Sequence, residues 1–176
     1  MIRAACLMII FAAAPAFAQD GAMVADTEVT DICLENAGLR QDQGDDPQWQ
    51  SCVGLASDAC MDLPGGYTTV GMSECVNSEY QFWDRRLNQT YQSVLSDAEK
   101  MDQEMADLGS AAEKQVPYLR EMQRNWIAYR DAACQFERSR WGGGTGGGPA
   151  SANCMLRLTA DQVFWLQQYT RNDQGG

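Results

Sequence analysis

The sequence predicts an all-α fold: a small antiparallel bundle of three main helices, stapled by disulfides and preceded by a short helical hairpin extension. Three observations carry that expectation. Apolar residues recur at steps of three and four through the second half of the chain, the period of a helix with one inward face. No stretch alternates with period two for long enough to propose a sheet. Six cysteines remain once a leader is removed, an even set of the kind that cross-links small domains in oxidising compartments.

The leader is read from the first residues. Arg3 precedes the apolar run AACLMIIFAAAPAFA, which is shorter than the ~20 residues a membrane-spanning helix needs. The run ends in Ala16-Phe17-Ala18, the small-x-small pattern of a signal-peptidase site. The expectation is a signal peptide over residues 1–18 and a mature periplasmic or secreted chain from Gln19. Cys6 leaves with the leader. Cys33, Cys52, Cys60, Cys75, Cys134 and Cys154 then form the disulfide set, with the pairing open. A zinc site is disfavoured, because the chain has no C-x2-C pair and no histidine.

At 176 residues the chain has room for one domain. Residues 19–59 read as an N-terminal tail with a cysteine-containing helical extension, 60–170 as the helical domain and 171–176 as a C-terminal tail. Gln19 to Thr30 lacks a sustained apolar period and is expected to be the tail. A short helix follows over Asp31 to Leu39, capped by Thr30 or Asp31, until the acidic turn QDQGDDPQ breaks it. A second short helix is expected from Trp49 to Asp62. Cys33 and Cys52 flank the turn, and a bridge between them would close a small helical hairpin, with pairing to the later cysteines left open.

LPGGYTTVG, Leu63 to Gly71, is a loop by its Pro-Gly and Gly-Gly punctuation. The first long helix is expected over about 73–97 with Ser73 as N-cap. Its inward stripe takes in Tyr80, Trp83, Asp84, Leu87, Asn88, Tyr91, Val94 and Leu95. The polar stretch from Ser96 to Gln115 either lengthens that helix or forms an elbow. Pro117 belongs in the first turn of the second long helix, where its missing N–H costs nothing. Leu119, Met122, Trp126, Tyr129 or Arg130, and Ala133 or Cys134 repeat at helical spacing and continue that helix to about Arg140. Pro149, Ser151 and Asn153 are start signals for the third, whose face carries Met155, Leu158, Gln162, Trp165, Leu166 and Tyr169.

The loop RWGGGTGGGPASANC between the last two long helices raises the question of nucleotide binding. A phosphate-binding loop needs G-x4-G-K-[ST], and this loop holds no lysine and follows no strand. It reads as a flexible connector. If the helices alternate in direction, Cys60, Cys75, Cys134 and Cys154 converge on one pole of the bundle, which makes bridges among them easy without selecting pairs. Asp84 and Arg130 fall at comparable heights on facing stripes and are expected to form a structural ion pair. Trp126 and Trp165 follow apolar stripes and are expected in the core. Trp141, Gly144, Thr145 and Gly146 are the partner-binding candidates, tryptophan being a frequent anchor of interfaces.

Charge and chemistry narrow the function class. The chain carries 13 basic against 24 acidic residues, which repels nucleic acid and anionic lipid and favours cationic partners. Without histidine there is no His-dependent triad, and oxidised cysteines cannot act as thiolates, so catalysis is disfavoured and no cofactor or metal is expected.

The segments C75…Y80…D84-x2-L87-N88-x2-Y91, then L119-x3-Q123-x2-W126-x2-Y129-R130-D131-x2-C134, then a glycine-rich gap, C154 and L158-T159…L166 together resemble the LprI-type lysozyme inhibitor-like family. The likeness covers about residues 60–169 and leaves Cys33 and Cys52 outside. It implies a small, exported, disulfide-linked helical domain that binds and inhibits lysozyme, a cationic protein. In the last helix the family usually carries an arginine where this chain has Gln162. The other reading of the function is an envelope interaction or structural module with a different periplasmic partner.

Overall fold

A computed structural model describes residues 21–171; the expected leader over 1–18 and residues 172–176 of the expected C-terminal tail lie outside the described residues. The described chain is helical throughout: α1 (Glu28–Asp42), a 3-10 turn (Trp49–Cys52), α2 (Leu55–Met61), α3 (Thr69–Asp107), α4 (Gln115–Ser139) and α5 (Gly147–Arg171). Three disulfides join Cys33 to Cys52, Cys60 to Cys75 and Cys134 to Cys154. The first closes the hairpin of α1 and the 3-10 turn. The other two lie at the pole where α3 and α5 begin and α4 ends, a juncture at which Ser73, Arg138 and Gly148 line one hollow.

The long helices start and stop where local chemistry dictates. The Thr68 side chain accepts from the Gly71 N–H at 3.0 Å, so α3 starts four residues before the expected Ser73 cap. The polar stretch lengthens α3 to Asp107, and Gly109, at φ +65°, turns the chain. Asp102 of α3 then caps α4, accepting from the N–H groups of Gln115 and Val116 at 2.7 and 3.2 Å. Pro117 lies in the first turn of α4, as expected. The last glycines are absorbed into α5, which starts at Gly147 rather than at Pro149 or beyond.

The core sits chiefly between α3 and α5. Trp83 meets Phe82 and Phe164 edge-on at 5.4 and 5.3 Å, and Trp49 stacks on Phe164 at 6.3 Å. Leu156, Val163 and Leu166 of α5 close the layer. The N-terminal extension contributes Leu34 and Cys52 to this same core. The segment expected to be a tail is tied down from residue 23 onward: the N–H groups of Met23 and Ala25 donate to Glu74 Oε2 and Ser78 Oγ at 2.9 and 3.0 Å. Buried Ala25 packs beside the Cys60 and Cys75 sulfurs. Backbone hydrogen bonds and that small apolar contact order a segment too short to show any period.

The inward face of α3 differs from the expected stripe. Val76, Glu79 and Phe82 are buried, while Tyr80, Asp84 and Tyr91 are half-buried and Asn88 is exposed. A central helix packed on α5, α2 and α4 has more than one inward side, so a single stripe does not describe it. Trp165 is likewise a correction. It is 39% exposed and rests edge-on against Tyr169 at 5.1 Å.

Candidate functional site

The glycine loop forms a tight turn in place of the expected slack connector. Gly142 and Gly143 hold φ of +55° and +84°, a region open to glycine and strained for other residues. Backbone bonds run from Trp141 N–H to Arg138 O, Gly142 N–H to Ser139 O, Gly144 N–H to Trp141 O and Gly147 N–H to Gly144 O. The first two stitch the turn to the end of α4, the third closes the turn on itself, and the last ties it to the start of α5. The Cys134–Cys154 bridge clamps the two helices behind it.

Trp141 is positioned by this turn. Its ring lies against Gly146 so closely that a side chain there would overlap it, and its Cβ packs near Gly147. The indole is nevertheless 53% exposed. Gly144 and Thr145 are exposed beside it, and Gly146 is half-buried beneath it. Gly146→Val is therefore expected to expel the indole, costing about 1–3 kcal/mol as an overpacked contact. Red-shifted tryptophan emission and a lowered urea midpoint would report it; an unchanged spectrum would show that Gly146 does not seat the ring.

From Trp141 an open groove of about 770 Å³ runs between α4 and α5, lined by Tyr129 and Phe136 on one wall and Asn153, Arg157 and Leu158 on the other. Tyr129 and Phe136 are both more than 60% exposed. They are seven residues apart, hence on one face of α4. Only Arg130 and Cys134 of this helix are buried, so its outer side is free to meet a partner. Asp161, exposed one turn beyond Arg157, has its carboxyl pKa shifted upward by partial desolvation, an effect the Arg157 charge opposes.

The charge of the molecule is divided by sequence. Residues 26–46 hold seven acidic residues against Arg40, whereas residues 115–171 hold seven arginines against four acids. The tryptophan turn thus belongs to the basic part of an acidic protein.

The expected ion pair between Asp84 and Arg130 is not formed. Arg130 donates through Nε and Nη2 to Oδ1 of the adjacent Asp131, at 3.0 and 2.9 Å, and its guanidinium lies 4.9 Å from the centre of the Trp126 ring. Asp84 accepts from the Asn88 amide at 3.2 Å, one turn along its own helix. A neighbour on its own helix reaches each group first, a carboxylate for Arg130 and a carboxamide for Asp84. Tyr80 lies between the two, its hydroxyl pKa raised by burial and by the Asp84 and Asp131 charges, with Arg130 opposing. Gln162, buried in α5, donates to Gln123 Oε1 of α4 at 3.2 Å. A neutral amide pair joins the helices at that position.

One buried acid escapes the sequence-level reading. Glu79 is fully buried, and its carboxylate accepts from the N–H groups of Gly54 and Ser57 at 2.8 and 2.7 Å and from Trp83 Nε1 at 3.1 Å. It caps α2 from another helix. Its signal in the sequence is a glutamate lying between Cys75, Val76, Phe82 and Trp83 at helical spacing. Among the described residues no cluster of three metal-ligating side chains occurs, and no helix is long and apolar enough to cross a membrane.

Residues 60–166 match the profile of a family described as lysozyme inhibitor LprI. The chain is 29% identical over 94 residues to an uncharacterized protein of Rhizobium meliloti (strain 1021), covering 53% of this chain and 68% of that one. It is 24% identical over 118 residues to the uncharacterized 17.7 kDa protein in the puhA 5' region of Rhodobacter capsulatus, covering 66% and 73% of the two chains. No solved structure matches significantly.

Proposed function

Because this chain belongs to the LprI lysozyme inhibitor family, we propose that it is an exported binding protein that slows lysozyme, docking through Trp141 and the turn residues Gly144, Thr145 and Gly146. The observation that carries this reading is the seating of Trp141: a large aromatic ring held half exposed on a glycine, at the end of two helices locked by a disulfide. An anchor whose rotamer is set before contact loses little entropy on binding. The acidic body supports the same partner, since animal-type lysozymes are cationic and opposite net charges speed encounter. Three disulfides belong to an oxidising compartment, and residues 1–18 supply the leader for export. In this reading residues 19–59 are an added extension, 60–170 the inhibitor domain and 171–176 a tail.

The test is lysis of cell walls by several lysozyme types, at low salt, with a molar excess of the oxidised protein. Lysis slows with at least one type, and Trp141→Ala weakens the inhibition by roughly 30-fold, the effect of losing one hot-spot side chain. No slowing with any lysozyme would reject the function. A Trp141→Ala variant as potent as the wild type would reject the surface.

A further inference from the structure

Two concavities open at the tryptophan turn, one of them lined by Trp141 itself, and arginines line both. Arg138 lines a hollow of about 480 Å³ with Gly143, Gly144 and Thr145. Arg140 and Arg157 line the 770 Å³ groove. Arg140 is engaged by both carboxylate oxygens of Glu137 at 3.1 Å. Arg138 and Arg157 are exposed, and among the described residues neither has an ion-pair partner within 4.0 Å. Guanidiniums without a carboxylate at ion-pair distance present a rigid fork of donors suited to carboxylates, and the longer-range pull of Asp161 on Arg157 leaves that fork open.

Such a charge pattern selects its partner. A uniformly acidic protein is repelled by the net charge of −11, and a uniformly cationic one is repelled where the arginines cluster. A cationic protein with an acidic cleft suits both regions. Glycoside hydrolases have this feature, because their chemistry requires two carboxylates facing each other across the cleft at roughly 5–9 Å. The flat, amphipathic indole that shares its groove with Arg157 has the shape to occupy a sugar position there. Resting on the proposed inhibition of lysozyme, we infer that Arg138 and Arg157 bind the paired carboxylates of the enzyme's cleft while Trp141 takes the place of a sugar ring.

The experiment is a double-mutant cycle read by calorimetric titration. Wild-type protein and the variant R138E/R157E are each titrated against native lysozyme and against lysozyme whose two catalytic carboxylates are amidated by substitution. Both arginines are exposed, so circular dichroism should match the wild type, while the urea midpoint should fall slightly because R157E sets a second acid one turn from Asp161. The expected result is a loss of about 100-fold on charge reversal with native lysozyme, shrinking to less than tenfold with the amidated enzyme, and a wild-type affinity that falls with salt. Equal binding by variant and wild type overturns the inference and leaves the inhibitor reading standing, as does a loss of equal size with both enzymes. Failure of the wild type to bind any lysozyme overturns both.

Discussion

Glu79→Ala is expected to destabilise the oxidised protein by roughly 3 kcal/mol or more, a large share of the 5–15 kcal/mol that holds a domain of this kind together. The alanine leaves three N–H groups, those of Gly54, Ser57 and the Trp83 indole, without their acceptor. Each unpaired buried donor costs about 1–3 kcal/mol before relaxation. The seven-residue helix α2 loses its cap at the same time, with Gly54 already at φ +102° and no side chain of its own capping that end. Glu79→Gln separates the causes. Its carbonyl oxygen serves Gly54 and Trp83 as before, but its amide then faces the Ser57 N–H, donor against donor, so an intermediate loss is expected. Urea unfolding with disulfides intact measures both; a change below about 1 kcal/mol for the alanine variant would show that α2 is held by other means.

The second large effect concerns α4. Only Arg130 and Cys134 are fully buried along its 25 residues, and Leu119, Met122 and Trp126 pack on the core while still partly exposed, so this helix has less apolar area than α3 with which to hold itself against the bundle. The Cys134–Cys154 bridge, spanning 20 residues, compensates. Replacing both cysteines by alanine is expected to cost about 3 kcal/mol from the restored freedom of the unfolded chain. The loss should be uneven: amide exchange in α4 accelerates toward that of the open state, while the α3–α5 core keeps its protection. Uniform acceleration across all three long helices would mean that α4 belongs to the same cooperative unit as the core.

Helical periodicity announced the three long helices because each turns apolar residues toward the bundle at steps of three and four, and the even cysteine set announced covalent ties because such sets cross-link small domains in oxidising compartments. What stayed hidden depended on groups far apart in sequence. The Asp102 cap of α4 and the Glu79 cap of α2 join residues that no local pattern connects. Pairing of Arg130 with its own neighbour, Asp131, in place of Asp84 is a choice among rotamers that spacing does not resolve. Trp165 lies on a periodic position and is still half exposed, because α4 is thinly packed and leaves the outer side of α5 uncovered. The site itself was half legible. A tryptophan beside six glycines marked the place, but the sequence suggested slack where the chain forms a bonded turn, and it gave no sign that Arg138 and Arg157 would line the concavities at that turn.

In the proposed complex the protein meets lysozyme with the tryptophan turn. Hydrogen exchange of the oxidised protein, free and saturated with lysozyme, tests it directly. The expected footprint is slowed exchange from Phe136 to Gly148 and at the exposed start of the α4–α5 groove, with α1 unchanged. Protection confined to α1 and the acidic turn after it, or no protection anywhere, would contradict the claim.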